Sequence, residues 1–340
     1  MKKKEWFSTG SDLLDLVVGG GKGSGFPSGK IINIVGDKAT AKTWIACEII
    51  ASSYYKHKEK LKWVYDDCES GFSFDTKRLY GIEIIPIDES KRYKSNTIQD
   101  LFCNIRAFLD SLKKNEIGIY VVDSLDGLSS EEIEELADKR YRAYKQGKKL
   151  EKGSYKMETA KFLSQEFFRT LADDFEDKNV LLIIISQIRY NIDVLSFEKY
   201  TRAGGKALDF YAYAVLWLAK LSTIDVRGNA IGTVIKAKTT KLKAPKPYRE
   251  CVLSLLFDYG IDNIGSNIDF LYDLRGKRGD LLKASNNIEY EGKQFDRNSL
   301  IEYIEACEER VKELTKKVME KWEKIEESIV VRRKRKYGMD

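Results

Sequence analysis

The chain has 340 residues, 43% of them hydrophobic and 33% charged, which is enough apolar matter for a full buried core and too much for wholesale disorder. Its formal charge of +6 is small beside 59 basic and 53 acidic residues, so net charge alone identifies no polyanionic partner. No apolar run approaches the roughly 18 residues of a membrane span, no apolar signal core follows MKKKEW, and five dispersed cysteines with the single His57 exclude a disulfide framework and a Cys/His zinc centre, so a globular, cytosolic protein is expected.

In chain order, Ser11 or Asp12 is placed to cap a short helix with Leu13, Leu14 and Leu16 on its apolar side, and a glycine-rich passage, 19–29, leads to the first strand. Ile31, Ile32, Ile34 and Val35 form that strand, rich in β-branched residues. Gly36-Asp37-Lys38-Ala39-Thr40-Ala41-Lys42-Thr43 then fits the phosphate-loop pattern G-x-x-x-x-G-K-[ST] at every fixed position but one, where Ala41 replaces glycine. A small-residue loop at a helix N-terminus offers backbone N–H groups to phosphates; Lys42 would neutralise their oxygens and the Thr43 hydroxyl would ligate Mg²⁺. The nucleotide-binding set is therefore Gly36 to Thr43 together with Trp44. A helix is expected from Lys42 to about Lys56, and a second strand, Trp63 to Tyr65, ends in Asp66, Asp67 and Glu69, at the edge where open α/β sheets place their sites.

Apolar positions from Ile98 to Leu112 recur at helical spacing. The next strand, Ile117 to Val122, closes on Asp123-Ser124, where an aspartate supports Mg²⁺ through water. Residues 129–160 are the least sheet-like part, in which an acidic opening gives way to Lys139, Arg140, Arg142 and Lys145 interleaved with Tyr141, Tyr144 and Tyr155; such a pattern suits single-stranded nucleic acid, and equally a solvated loop. A helix from Ala160 to Phe175 precedes the apolar strand Val180 to Ile185, which ends in Ser186-Gln187. Ile188 to Lys206 has no settled period and reads as a long loop. Strand character resumes over Tyr211–Leu221, Gly232–Lys238 and Leu253–Leu256. Beyond Tyr259, helical patterning over Leu271–Ala284 and Ser299–Glu327 surrounds a turn-like centre, 286–295.

The motif order resembles that of the RecA-type homologous recombinases, bacterial RecA and its UvsX-like phage relatives. The residues that carry the resemblance are Ser8-Thr9-Gly10-Ser11, the phosphate loop, Asp67-Cys68-Glu69, Val121-Val122-Asp123-Ser124, Ser186-Gln187-Ile188-Arg189 and Gly204-Gly205-Lys206-Ala207-Leu208. It implies an α/β fold: a RecA-like P-loop NTPase core with a mostly parallel central sheet (30–258) after a short N-terminal segment (1–29), then a small C-terminal α/β domain (259–328) and a basic tail (329–340). It also implies a DNA-dependent ATPase using ATP and Mg²⁺, in which Glu69 polarises the attacking water, Asp123 and Thr43 serve the metal, and Gln187 senses the γ-phosphate. Lys241, and with it Lys238, would reach the ATP of a neighbouring subunit.

The resemblance places a first DNA loop over about 137–157, with Lys139, Arg140, Arg142 and Lys145. It places a second over 188–206, with Arg189, Tyr190, Phe197, Lys199, Arg202, Gly204, Gly205 and Lys206. Partners would be single- and double-stranded DNA, further copies in a helical filament, and loader or single-strand-binding proteins; no membrane is expected. The chain departs from the family at Ala41, in its short stretch before Ser8, and in a basic tail where bacterial RecA is acidic. The adenine-stacking position falls near Thr76, with Phe72, Phe74 and Tyr80 close by. A non-hydrolysing paralogue or mediator and a ring-forming helicase motor are the alternatives.

Overall fold

The computed structural model describes residues 4–21, 24–87, 94–148, 162–190, 200–202 and 204–333. It divides into two compact units, Met1–Ile261 and Asp262–Asp340; the sequence reading set the boundary at 258/259.

In the first unit, β1 (Trp6–Phe7) pairs antiparallel with β2 (Phe26–Pro27), and between them lies α1 (Asp12–Val18), capped by the Ser11 hydroxyl, which accepts from Leu14 N. Asp15 ties this turn together. Its carboxylate accepts from Ser8 Oγ at 2.6 Å and from Thr9 N and Oγ1 at 2.7 Å each. Burial pushes its pKa up to about 6, against those hydrogen bonds. The folded state thus holds a proton that the unfolded chain releases near pH 4. The stabilisation linked to that proton is complete below the unfolded value and is lost as pH rises through about 6. Asp15→Asn should remove this slope: across pH 4 to 7, wild-type stability in urea should fall relative to the variant by on the order of 2 kcal/mol.

The central strand is β3 (Lys30–Gly36), whose β-branched side chains are buried on both faces, as a doubly covered parallel strand requires. Asn33, the polar residue in that run, donates from Nδ2 to Ile184 O and Ser186 Oγ, both at 2.9 Å, which compensates part of its burial. After α2 (Lys42–His57) come β4 (Leu61–Asp67), α3 (Thr76–Tyr80), α4 (Ile98–Ser111), β5 (Ile117–Asp123), α5 (Glu131–Lys145), α6 (Phe168–Lys178) and β6 (Val180–Tyr190). Helix α4 begins at a capping box in which Thr97 Oγ1 accepts from Asp100 N and Asp100 Oδ2 accepts from Thr97 N. Its buried side, Leu101, Ile105, Phe108 and Leu109, joins Phe168, Leu171 and Phe175 of α6 against Tyr120 and Val122 of β5 and Leu182 and Ile184 of β6.

Strands β4, β5, β6, β3 and β8 (Ala214–Val226) run parallel in that spatial order. Next to β8 follows β9 (Asn229–Leu242), antiparallel to it, and then β10 (Glu250–Leu256), antiparallel to β9, with the short β11 (Gly260–Asp262) at the edge. The sheet is therefore mostly parallel, as expected. Three details differ from the sequence reading. Tyr211 ends a helix, α7 (Gly205–Tyr211), and the strand starts at Ala214. Strand β6 does not stop at Gln187 but continues to Tyr190 and turns back through β7 (Tyr200–Arg202), so the expected loop has a β-hairpin at its base. Residues 131–145 are helical, including the part from 137 that the resemblance assigns to a DNA loop. The expected helix start at Ala160 lies outside the described residues, as do Phe197, Lys199, Tyr155 and the tail from 334.

The second unit packs α8 (Asn263–Leu271), α9 (Arg297–Glu305) and α10 (Glu308–Ser328) around the hairpin β12 (Ile288–Tyr290) and β13 (Lys293–Phe295). Ile268, Leu274, Tyr290, Leu300 and Leu314 form its core. The expected helix over 271–284 is not there. Asp273 and Gly279 both have positive φ, and Arg275 bridges to Leu281, so the leucines that suggested helical spacing lie on a turn instead. The long expected helix over 299–327 is two, broken where Cys307 takes an extended conformation.

Candidate active site

Parallel register brings the expected residues to one edge of the sheet. Gly36 at the end of β3 lies opposite Gln187 on β6, and Asp67 at the end of β4 lies opposite Asp123 on β5. From β3 the chain enters the loop 36–41 and then α2. A side chain at Gly36 would collide with Thr40 Oγ1 and approach Leu218 O to 3.0 Å, so only glycine lets the loop turn this tightly. Lys42 Nζ lies inside the loop, donating to Gly36 O at 3.1 Å and Asp37 O at 2.7 Å. Burial lowers its pKa, opposed by the charges of Asp123 and Glu69.

Ala41 stands in the left-handed region, φ 63° and ψ 26°, immediately before α2. That conformation costs an L-residue roughly 1–2 kcal/mol, which a glycine would not incur. The missing glycine is therefore a backbone matter. Ala41→Gly should raise stability in urea by about 0.5–1 kcal/mol, the relieved strain less the greater freedom of unfolded glycine. A destabilised variant would contradict this account.

Thr43 Oγ1 donates to Asp123 Oδ2 at 2.7 Å, and Tyr65 OH donates to the same oxygen at 2.5 Å. Burial raises the Asp123 pKa, while these two donors lower it. Across the edge, Glu69 accepts from Gln187 Nε2, with its two oxygens at 3.0 and 3.3 Å, and from Ser124 Oγ. Asp67, a residue of the same turn, accepts from Phe72 N and Gly71 N and so fixes the chain beyond Glu69. Trp44 meets Phe74 edge to face at 4.7 Å, and Phe72 lies between Phe74 and Tyr65. Thr76, at the expected base-stacking position, is buried and its hydroxyl accepts from Ile84 N.

Tyr65, Ser124, Asn33 and Asp126, whose Oδ2 accepts from Gln187 N at 2.8 Å, were not singled out from sequence. Only Asn33 carried a signal, as a polar residue in a buried strand. Among the described residues no group of three or more His, Cys, Asp or Glu side chains could hold a metal unaided. The hydroxyl of Thr43 and the carboxylate of Asp123 suit a hard cation such as Mg²⁺, which takes one or two protein oxygens and completes its shell with phosphate and water. The loop N–H groups and Lys42 suit the phosphates themselves.

The remaining predicted residues lie elsewhere in the same unit. Lys241 Nζ caps α7, donating to Phe210 O at 3.0 Å and to Asp209 O, and burial lowers its pKa. Lys238 is 3.5 Å from Glu250, which also pairs with Lys236 at 2.6 Å. Arg202, expected among the DNA contacts, points inward: its side chain is 10% exposed and pairs with Asp209. Lys139, Arg140, Arg142 and Lys145 are exposed along α5, which buries none of its residues; Lys145 Nζ sits over the Tyr141 ring at 4.4 Å and Tyr144 is 80% exposed. Gly204 and Gly205 have positive φ at the start of α7, followed by the exposed Lys206.

Residues 1–262 match the family described as the RecA N-terminal domain. Among solved structures, that of the RadB recombinase is similar at 18% identity and a TM-score of 0.48, over 75% of this chain and 98% of that one. With the family match spanning most of its length, and the loop 36–43, Asp123, Glu69 and Gln187 on one edge of a mostly parallel sheet, the chain belongs to the RecA family.

Proposed function

We propose that the chain is a DNA-dependent ATPase that coats single-stranded DNA as a helical filament and pairs it with homologous duplex DNA. The observation that carries this reading is the placement of Gln187. Its side chain donates to Glu69, and its main chain belongs to the strand that continues into the β6–β7 hairpin. One residue thus adjoins both the carboxylate that would handle water and the segment that would handle DNA.

The loop 36–43 would hold the triphosphate of ATP, with Lys42 on its outer oxygens, while Thr43 and Asp123 would hold Mg²⁺. Bound there, Mg²⁺ supplies charge neutralisation on phosphate oxygens. Glu69 orients water and accepts its proton. Gln187 exchanges its hydrogen bond to Glu69 for one to phosphate, which shifts β6 and the hairpin beyond it. DNA would then lie along Arg189, Tyr190, Phe197, Lys199, Gly204, Gly205 and Lys206, with Lys139, Arg140, Arg142 and Lys145 of α5 adding phosphate contacts and Tyr141 and Tyr144 surfaces for base stacking. Arg202 instead fastens the hairpin to α7 through Asp209. Lys241 and Lys238 would leave their present partners to meet the ATP of a neighbouring copy, which would make turnover depend on assembly.

ATP hydrolysis measured with and without single-stranded DNA tests the reading, and a rate that DNA leaves unchanged would count against it. A second reading, in which nucleotide serves as structural glue without turnover, is favoured by the strained Ala39 and Ala41, with φ of 56° and 63°. ATP-dependent filaments visible on DNA, together with stimulated hydrolysis, separate the first from the second.

A further inference from the structure

We infer that Asp126 is a positioning residue that clamps the main chain of β6 at Gln187, and thereby transmits the state of the DNA hairpin to Glu69; the inference rests on the functional reading above. The ladder geometry gives the reason. Strand β6 pairs with β3 as far as Gln187, but with β5 only as far as Ile184, opposite Val122. Past that point, among the described residues, β5 offers β6 no further ladder partner before the pairing with β7 begins at Ile188. The chain of β5 has turned away at Ser124, and the Asp126 carboxylate supplies the missing acceptor, 2.8 Å from Gln187 N. A charged acceptor makes this a stronger hydrogen bond than the ladder bond it replaces.

The neighbours of Asp126 touch the rest of the same machinery. Ser124 Oγ donates to Glu69. Gly127 packs so closely on the Glu69 turn that a methyl there would lie 3.0 Å from Cys68 O and 3.2 Å from Glu69 Cγ. Leu125 Cδ2 lies 3.0 Å from where a Cβ of Gly204 would stand, at the far end of the hairpin segment. Four consecutive residues, 124–127, therefore contact the candidate catalytic turn, the sensing strand and the hairpin's return. Of these contacts, the one from Asp126 fixes the residue whose side chain reaches Glu69. If β6 slid or peeled at Gln187, the 3.0 Å contact from Nε2 to Glu69 would go with it. Held by Asp126, a displacement arriving from Tyr190 and β7 is delivered to the carboxylate and is not absorbed as a local fray.

The test uses the full-length protein, single-stranded DNA and ATP, and reads the ratio of DNA-stimulated to DNA-free hydrolysis. Asp126→Ala should lower that ratio about tenfold with KM for ATP changed by less than about twofold, since no phosphate-binding group is altered. Asp126→Asn should keep the ratio within about threefold of wild type, because its amide oxygen can still accept from Gln187 N. The Asn variant also separates hydrogen bonding from charge, for Asp126 contributes to the field at Lys42. Amide exchange across 186–188 without DNA should accelerate in the Ala variant and not in the Asn variant. An Ala variant with the wild-type ratio, or an Asn variant that falls as far as Ala, would overturn the role. A wild-type chain with no DNA stimulation would instead sink the functional reading, and this coupling with it.

Discussion

Glu69→Gln is expected to cut ATP hydrolysis by about 100-fold or more while leaving nucleotide and DNA binding in place. The carboxylate occupies a turn held from three sides: Asp67 caps the following residues, Ser124 Oγ donates to it, and Gln187 Nε2 lies 3.0 Å away. Glutamine preserves the size of the side chain and one accepting oxygen, so the turn keeps its shape. What it loses is the capacity to take a proton from water. Lys42 and Thr43, which would hold phosphate and Mg²⁺, lie on α2 and have no hydrogen bond to Glu69 among those described. Their function should persist. Because the variant consumes nucleotide so slowly, its complex with ATP and DNA should also last longer than the wild-type complex. Single-turnover hydrolysis, nucleotide binding and DNA retention checked on the same preparation decide the matter. Hydrolysis within about threefold of wild type would remove Glu69 from the role.

The parts of this site that were legible in the sequence are those that local chemistry dictates. A β-branched run, a glycine and a Lys-Thr pair announce β3, the phosphate loop and α2, because each needs its residue types whatever surrounds it. Asp123 was legible for the same reason, as a carboxylate at the end of an apolar strand. The links between strands were not. Asp126 and Gln187 are 61 positions apart, and Tyr65 and Asp123 are 58 apart, so nothing local marks them as partners. The hairpin at the end of β6 was hidden because Ile188–Tyr190 pairs with Tyr200–Arg202 at the margin of the sheet, where no buried face enforces alternation. Helix α5 was hidden by its charge, for its few apolar positions, Ile133, Leu136 and Tyr144, are outnumbered by acidic and basic residues and none of them is buried. The reverse error occurred at 271–284. Leu271, Leu274, Leu281 and Leu282 mimic a helical period, but the backbone there is set by Asp269, which grips Arg275 Nε at 2.7 Å.

That same aspartate makes Arg297→Ala the substitution with the largest expected effect on stability. Arg297 Nε donates to Asp269 Oδ1 at 2.6 Å and Nη2 to Asp269 Oδ2 at 3.1 Å, a bidentate pair, and Nη2 also reaches Asp262 Oδ2 at 3.3 Å. The side chains involved are nearly enclosed: 12% exposed for Arg297, 5% for Asp269 and 9% for Asp262. Asp262 in turn caps α8, accepting from Gly265 N at 2.7 Å, and a methyl at Gly265 would collide with both Asp262 and Arg297. Truncation would leave Asp269 with Arg275 and Asp262 with the Gly265 N–H as their remaining described partners, and breaking such a buried pair from one side costs about 3–5 kcal/mol. The loss should be local. Amides of Asn263–Leu271 and Arg297–Glu305 should exchange about 100-fold faster, while those of β3 in the other unit keep their protection. Arg297→Lys should recover only part, since a single ammonium cannot satisfy both oxygens of Asp269 at once. Unchanged exchange in α8 would mean that apolar packing around Ile268 and Leu300, and not the guanidinium, holds this unit together.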